Sequence, residues 1–176
     1  MTDALRTVHT SQLTPEGLDR IRTFLRDSFD GDFSDDDFEH GLGGMHALVR
    51  DAEGRIAGHG SVVMRRVRAG GRFHRVGYVE AVAVSADRRR QGIGGLVMGA
   101  LEEIIERAYD FGALSASDAG ATLYRARGWR LWEGRIEGIG PEGIVHLPDE
   151  EDSTFVWGAA PAGGALAFDW RDGDVL

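Results

Sequence analysis

The run Val82-Ala83-Val84-Ser85-Ala86-Asp87-Arg88-Arg89-Arg90-Gln91-Gly92-Ile93-Gly94-Gly95 changes character twice: an apolar strand end becomes a basic turn, and the turn becomes a glycine-rich helix start. A helix beginning at Gly92 leaves its first N–H groups without intrahelical partners, and its dipole adds positive potential there. Gly92 and Gly94 let a bulky group approach the backbone, and Arg88, Arg89 and Arg90 add charge at the mouth. The alternative is a glycine-rich turn with solvated arginines; the functional reading is an anion site. Two familiar phosphate loops are excluded. Counting from Gly92, the third glycine of a dinucleotide fingerprint would fall at Val97, and a P-loop needs a lysine that the chain lacks.

Outward from this loop, a strand is expected over 72–84 and a helix over 92–110. The apolar stripe of that helix is Ile93, Leu96, Val97, Ala100, Leu101, Ile104, Ile105 and Ala108. Upstream, strands are expected over 4–10, 45–50 and 55–68. Thr14-Pro15-Glu16 opens one helix, and Ser34 with Asp37 three residues later opens a short second one. Downstream come a strand over 112–116, a helix capped by Asp118 and ending at Gly128, and strands over 129–133, 153–157 and 166–170. The order is β-α-α, a β-meander, then β-α-β-α-β. That order predicts an α/β fold with a mixed, largely antiparallel sheet, as one domain over 1–176.

Composition narrows the chemistry. With 176 residues, 42% hydrophobic and 28% charged, the chain suits one globular core. All 20 basic residues are Arg and there is no Cys. Schiff-base chemistry, thiol nucleophiles, disulfides and thiolate zinc sites are therefore excluded. A net charge of −9 disfavours nucleic acid as a partner and favours a cationic small molecule. Residues 1–10 lack the apolar core of a signal peptide, and no apolar run is long enough to span a bilayer. A cytoplasmic protein with no membrane partner is expected.

Glu80 interrupts an otherwise uncharged stretch, 76–84. A carboxylate in a core strand is costly unless it is paired or hydrated. Either Glu80 is functional, or it pairs with a strand arginine such as Arg66 or Arg75. Three acidic clusters stand outside the loop: Asp32 with Asp35-Asp36-Asp37, Asp149-Glu150-Glu151-Asp152, and Asp172 with Asp174. Each has a plain reading as helix-capping charge, solvated loop or frayed end. His40 and His46 show no paired ligand spacing. They are read as structural, and no metal is expected.

Arg89-Arg90-Gln91-Gly92-Ile93-Gly94 resembles the (Arg/Gln)-x-x-Gly-x-(Gly/Ala) pyrophosphate loop of the GNAT superfamily of N-acetyltransferases. The resemblance extends along nearly the whole chain to the aminoglycoside 2′-N-acetyltransferases. It is carried by Gly31-Asp32-Phe33, Glu39-His40-Gly41-Leu42-Gly43-Gly44-Met45-His46-Ala47-Leu48, Gly77-Tyr78-Val79-Glu80, Gly112-Ala113-Leu114-Ser115, Leu123-Tyr124, Arg127-Gly128-Trp129 and Asp169-Trp170-Arg171-Asp172-Gly173-Asp174. It implies the GNAT fold, with a V-shaped splay between its central strands, and acetyl-CoA as donor. The pantetheine arm would pair with the backbone at Val82 and Val84. The pyrophosphate would lie on Arg89, Arg90, Gln91, Gly92, Ile93, Gly94 and Gly95.

For the chemistry, the resemblance implies Glu80 as general base through water and Tyr124 as general acid; without it, Tyr124 reads as an aromatic core contact. A backbone N–H near Val82 is the candidate oxyanion donor. Acceptor contacts are implied for Asp32, Asp37, Glu80, Ser115, Glu150, Asp174 and Leu176. Glu150 stands where the family prefers aspartate, and Leu176 where close relatives end in tryptophan. A homodimer is also implied. Two other readings are acetyl transfer to another small amine (a cell-wall amino sugar or a polyamine) and a non-catalytic acyl-CoA-binding module.

Overall fold

The computed structural model describes residues 4–176. They form two compact units: one contains Val79–Ile104 and the chain up to Val63, the other Met64–Tyr78 and Ile105–Leu176.

In the first unit, strand β1 (Ala4–His9) pairs antiparallel with β2 (Met45–Arg50), and β2 pairs antiparallel with the early part of β3 (Ile56–Ala69). Helix α1 (Pro15–Ser28) starts as its sequence dictates. Thr14 Oγ1 accepts the Gly17 N–H at 3.1 Å, Pro15 sits in the first turn and Glu16 faces the positive helix end. Helix α2 (Asp35–His40) opens with the expected capping box between Ser34 and Asp37. The helices bury Ile21, Leu25 and Phe38 in a cluster with Val8, Phe33, Leu48 and Ala83. The later residues of β4 (Arg72–Val84) and the start of α3 (Ile93–Ala108) complete the unit. Gly60 of β3 sets how closely α3 can lie. A Cβ there would stand 2.8 Å from Val97, 3.0 Å from Leu101 and 3.2 Å from Val82.

In the second unit the strand order is β6 (Arg130–Leu131), β9 (Thr154–Trp157), β5 (Phe111–Ser115), β4, β3, β10 (Leu166–Asp169), β7 (Ile136–Gly140), β8 (Gly143–His146). β4 with β5 and β10 with β7 are parallel; β5 with β9, β6 with β9, β7 with β8 and β3 with β10 are antiparallel. The sheet is thus mixed and largely antiparallel, as the element order implied. The parallel register of β4 with β5 covers Val76–Tyr78 against Phe111–Ala113 and, among the described residues, extends no further. Tyr78, Phe111, Tyr124, Trp129, Trp132, Phe155 and Phe168 are buried aromatic side chains of this unit.

Several local expectations are corrected. Helix α4 (Asp118–Ala126) is capped by Ser117, whose Oγ accepts the Gly120 N–H at 3.3 Å; Asp118 is the first helical residue and supplies first-turn charge. In α3, Leu96 is 48% exposed and Ala108 is exposed, whereas Met98 is buried. The strand expected over 129–133 shrinks to two residues. On its N-terminal side the Trp129 N–H bonds the Tyr124 carbonyl at the end of α4, and on its C-terminal side the Trp132 N–H still bonds the Thr154 carbonyl of β9. The β7–β8 hairpin was not anticipated. Among the described residues, no helix is long and apolar enough to cross a membrane.

Candidate active site

The loop between β4 and α3 leads directly into the helix start. Arg90 (φ 61°) and Gly92 (φ 85°) are both left-handed, a conformation that curls successive N–H groups into a concave nest. The first intrahelical bond of α3 is donated by Leu96 to the Gly92 carbonyl at 3.1 Å. The N–H groups of Ile93, Gly94 and Gly95 precede it and have no partner within the helix. Arg88 Nε donates to Gln91 Oε1 at 3.0 Å, and Gln91 Nε2 donates to the Asp87 carbonyl at 3.1 Å, so Gln91 braces the turn. Arg89 is tied only loosely, 3.4 Å from the Val84 carbonyl and 3.3 Å from that of Ser28. Arg90 is exposed, and Ile93 is buried beneath the helix start. These groups fit a diphosphate: a concave row of N–H donors, a helix end and the exposed side chains of Arg89 and Arg90.

Just upstream, β4 departs from regular strand geometry. Glu80, Val82 and Val84 are half-buried and Ala83 is buried, while Ala81 has φ 50°. A non-glycine residue held there costs about 1–3 kcal/mol, so its surroundings must hold it. His59 Nδ1 lies 2.9 Å from the Ala81 carbonyl, and His59 Nε2 lies 3.1 Å from His46 Nδ1. His46 Nε2 lies 2.8 Å from Thr10 Oγ1, which also accepts the Gly43 N–H at 3.0 Å. Burial lowers His46 to about 4, helped by the charge of His9; burial and then His46 lower His59 to about 3. His46, read from the sequence as structural, is buried and hydrogen-bonded on both ring nitrogens; its pairing with His59 was not foreseen. The β2–β3 register sets Ser61 opposite His46 and His59 opposite Leu48, which makes the two rings diagonal neighbours. No pattern in the sequence carries that register.

Arg75, one partner considered for Glu80, stands 3.6 Å from Asp110, whose carboxylate also accepts the Arg75 backbone N–H at 2.9 Å. Asp32 is exposed beyond the end of α1. Asp37 is committed in part to its cap: its Oδ2 accepts both the Ser34 N–H and the Ser34 hydroxyl at 2.8 Å.

The remaining residues lie in the second unit. Tyr124 is 7% exposed and sits between Trp129 and Phe155, with ring centroids at 6.2 and 6.3 Å. Burial pushes its phenol up to about 12. Ser115 and Glu150 are brought together: Ser115 Oγ donates to Glu150 Oε2 at 3.1 Å, and Ser153 Oγ, which was not anticipated, donates to the same oxygen at 3.0 Å. Asp174 is exposed, with its carbonyl accepting from Arg171 Nε at 3.2 Å, and Leu176 is half-buried. Residues 169–175 are fastened by buried Arg65, which donates to Asp169 Oδ1 at 2.8 Å, to the Val175 carbonyl at 2.6 Å and to the Asp169 carbonyl. Among the described residues, no group of three His, Asp or Glu side chains is arranged to hold a metal ion.

Comparison with known proteins gives this geometry a context. The family described as "Acetyltransferase (GNAT) domain" matches residues 9–132. An aminoglycoside 2′-N-acetyltransferase of Mycolicibacterium fortuitum is 43% identical over 97% of this chain and 90% of its own length. A GNAT family N-acetyltransferase of Escherichia coli, solved in complex with CoA, superposes with a TM-score of 0.66 at 21% identity, over 94% of this chain and 89% of that one. An acetyltransferase of the GNAT family from Staphylococcus aureus gives 0.59 at 16% identity, over 89% and 100%. The structural neighbours share the fold, the full-length relative shares the sequence, and the chain belongs to the GNAT acetyltransferase family, whose members use acetyl-CoA as donor.

Proposed function

We propose that residues 1–176 act as a single domain that transfers the acetyl group of acetyl-CoA to the 2′-amine of aminoglycoside antibiotics, the activity by which such an enzyme confers resistance. The observation that carries this reading is the 43% identity, end to end, with a relative named for that activity. An acidic chain of net charge −9 is consistent with a polycationic acceptor.

The reaction is direct attack. The acceptor nitrogen bonds to the thioester carbonyl carbon, the C–S bond breaks, and CoA leaves. The amine must lose a proton to be nucleophilic, and Glu80 takes it through water. The N–H of Val82 bonds the carbonyl oxygen as negative charge develops on it. Tyr124 offers its hydroxyl to the departing sulfur. A phenol at about 12 is a weaker acid than an ordinary thiol near about 8.5, so its main contribution is a hydrogen bond to the developing thiolate. Diphosphate binding falls to Arg89, Arg90, Gln91, Gly92, Ile93, Gly94 and Gly95, and pantetheine pairing to Val82 and Val84. Asp32, Asp37, Ser115, Glu150, Asp174 and Leu176 contact the acceptor. A cytoplasmic homodimer is part of the same reading, and exposed Met64 and Phe73 provide apolar surface for one. Sedimentation equilibrium of the pure protein reads the oligomeric state.

Thiol release from acetyl-CoA, measured against a panel of amines, tests the reading. Turnover is expected with aminoglycosides bearing a 2′-amine and not with their 2′-hydroxyl analogues. Activity confined to polyamines or amino sugars would replace the acceptor, and CoA binding without turnover on any amine would overturn catalysis itself.

A further inference from the structure

The hydrogen bonds behind β4 have only one consistent direction. The Ala81 carbonyl can only accept, so His59 carries its proton on Nδ1. In a neutral ring His59 Nε2 is then bare and accepts from His46 Nδ1–H. His46 Nε2 is bare in turn and accepts the Thr10 hydroxyl proton. Thr10 Oγ1 accepts the Gly43 N–H and has two acceptors within reach, His46 Nε2 at 2.8 Å and the Gly44 carbonyl at 3.1 Å. The Gly44 carbonyl already receives the Thr10 N–H, whereas bare His46 Nε2 has no other donor among the described residues, so the shorter contact takes the hydroxyl proton. The relay runs one way, from Thr10 through His46 and His59 to the Ala81 carbonyl.

Its far end sits on the left-handed residue. In a regular strand successive carbonyls point to opposite sides. Here two in succession face side chains of β3: that of Ala81 meets His59, and that of Glu80 lies 3.5 Å from Ser61 Oγ, too far to be held firmly. In a trans peptide the N–H points opposite to its own carbonyl. The N–H groups of Ala81 and Val82 therefore both point away from these β3 side chains, side by side. The left-handed backbone of Ala81 (φ 50°) is what turns the two donors to one side here.

We propose that His59, fixed in its Nδ1–H form by His46 and Thr10, is a positioning residue for acetyl transfer: it anchors the Ala81 carbonyl, and so aims the Val82 N–H at the oxygen that becomes negative. A bond to the carbonyl also polarises that peptide and strengthens its N–H as a donor. The proposal rests on the reading of Val82 as oxyanion donor and adds the device that holds it.

The test compares His59→Asn with His59→Leu. The Asn amide nitrogen occupies the Nδ1 position and still donates to the Ala81 carbonyl, whereas Leu fills similar space with no donor. With an amine that the wild type acetylates, His59→Leu is expected to lower kcat on the order of tenfold or more. Its KM for acetyl-CoA should stay within about threefold, and His59→Asn should recover most of kcat. Equal losses in both variants, full activity in His59→Leu, or a loss confined to the acetyl-CoA KM would overturn the proposal. Should His59→Leu not fold, imidazole 15N–1H correlation spectra of the wild type decide. Both rings are expected neutral and protonated at Nδ1; protonation of His59 at Nε2 reverses the relay and refutes it. A wild type with no turnover on any amine refutes the acetyl-transfer reading, whereas equal variant losses in an active enzyme refute the relay alone.

Discussion

Glu80 is half-buried between Val79, which is buried, and Ala81, whose backbone is left-handed. The proposed role as base needs a carboxylate, whereas its packing needs only a side chain of that size, so Glu80→Gln separates the two. The expected result is a kcat lower on the order of 100-fold, with acetyl-CoA affinity by calorimetry unchanged. A variant turning over like wild type would remove Glu80 from proton transfer. Tyr124 makes a different prediction because its phenol keeps its proton until about pH 12. Only its protonated form donates, so its own loss would appear as a basic limb far above any assay. Tyr124→Phe should therefore lower kcat without changing the shape of the pH–rate profile. A basic limb below about pH 10 that vanished in Tyr124→Phe would show that the phenol titrates within the working range.

Elements with strong periodicity and clear ends were legible in the sequence: β2 and β4 begin and end where the alternation and the glycine turns placed them. The β7–β8 hairpin was not, because β8 is exposed throughout and Ile144 and Val145 face solvent, leaving no alternation of apolar and polar residues to read. Candidate site residues could be named singly, through motif and chemistry, but their partnerships were not legible. Ser115 meets Glu150 only because β5 and β9 pair, and His46 meets His59 only through the β2–β3 register. Pairing between strands is a tertiary fact, and a local sequence pattern does not carry it. One element-level expectation concerns the seat of α3. In Gly60→Ala the added methyl would enter a space where Val97 stands 2.8 Å away and Leu101 3.0 Å away. Overpacking of this kind costs about 1–3 kcal/mol, which corresponds to a Tm lower by roughly 2–12 °C for a chain of this length. An unchanged Tm by scanning calorimetry would mean that α3 does not press on β3 as described.

At the scale of the whole molecule, two of the buried histidines, His46 and His59, tie stability to pH in a window of their own. In the unfolded chain each ring takes up a proton as pH falls through about 6.5. In the folded chain neither does so until about 4 for His46 and about 3 for His59, because burial opposes the charge. The unfolded state therefore binds more protons, and the free energy of unfolding falls as pH is lowered. Their full contribution is present above about pH 6.5 and is lost progressively on the way down to the folded values. The carboxylates act in the same direction but later. Asp110 is held low chiefly by the Arg75 backbone N–H, and Glu151 chiefly by the His146 side chain. Their contributions are lost only as pH falls below about 4, where carboxylates ordinarily titrate. Urea unfolding at about pH 7.5 and about pH 5 isolates the histidines, and the expected loss is a few kcal/mol for the pair. In His59→Asn one of the two rings is gone, and the difference between the two pH values should shrink by about half. If the urea midpoint is flat across this interval, the rings are not held neutral by burial, and the one-way relay from Thr10 to Ala81 loses its physical basis.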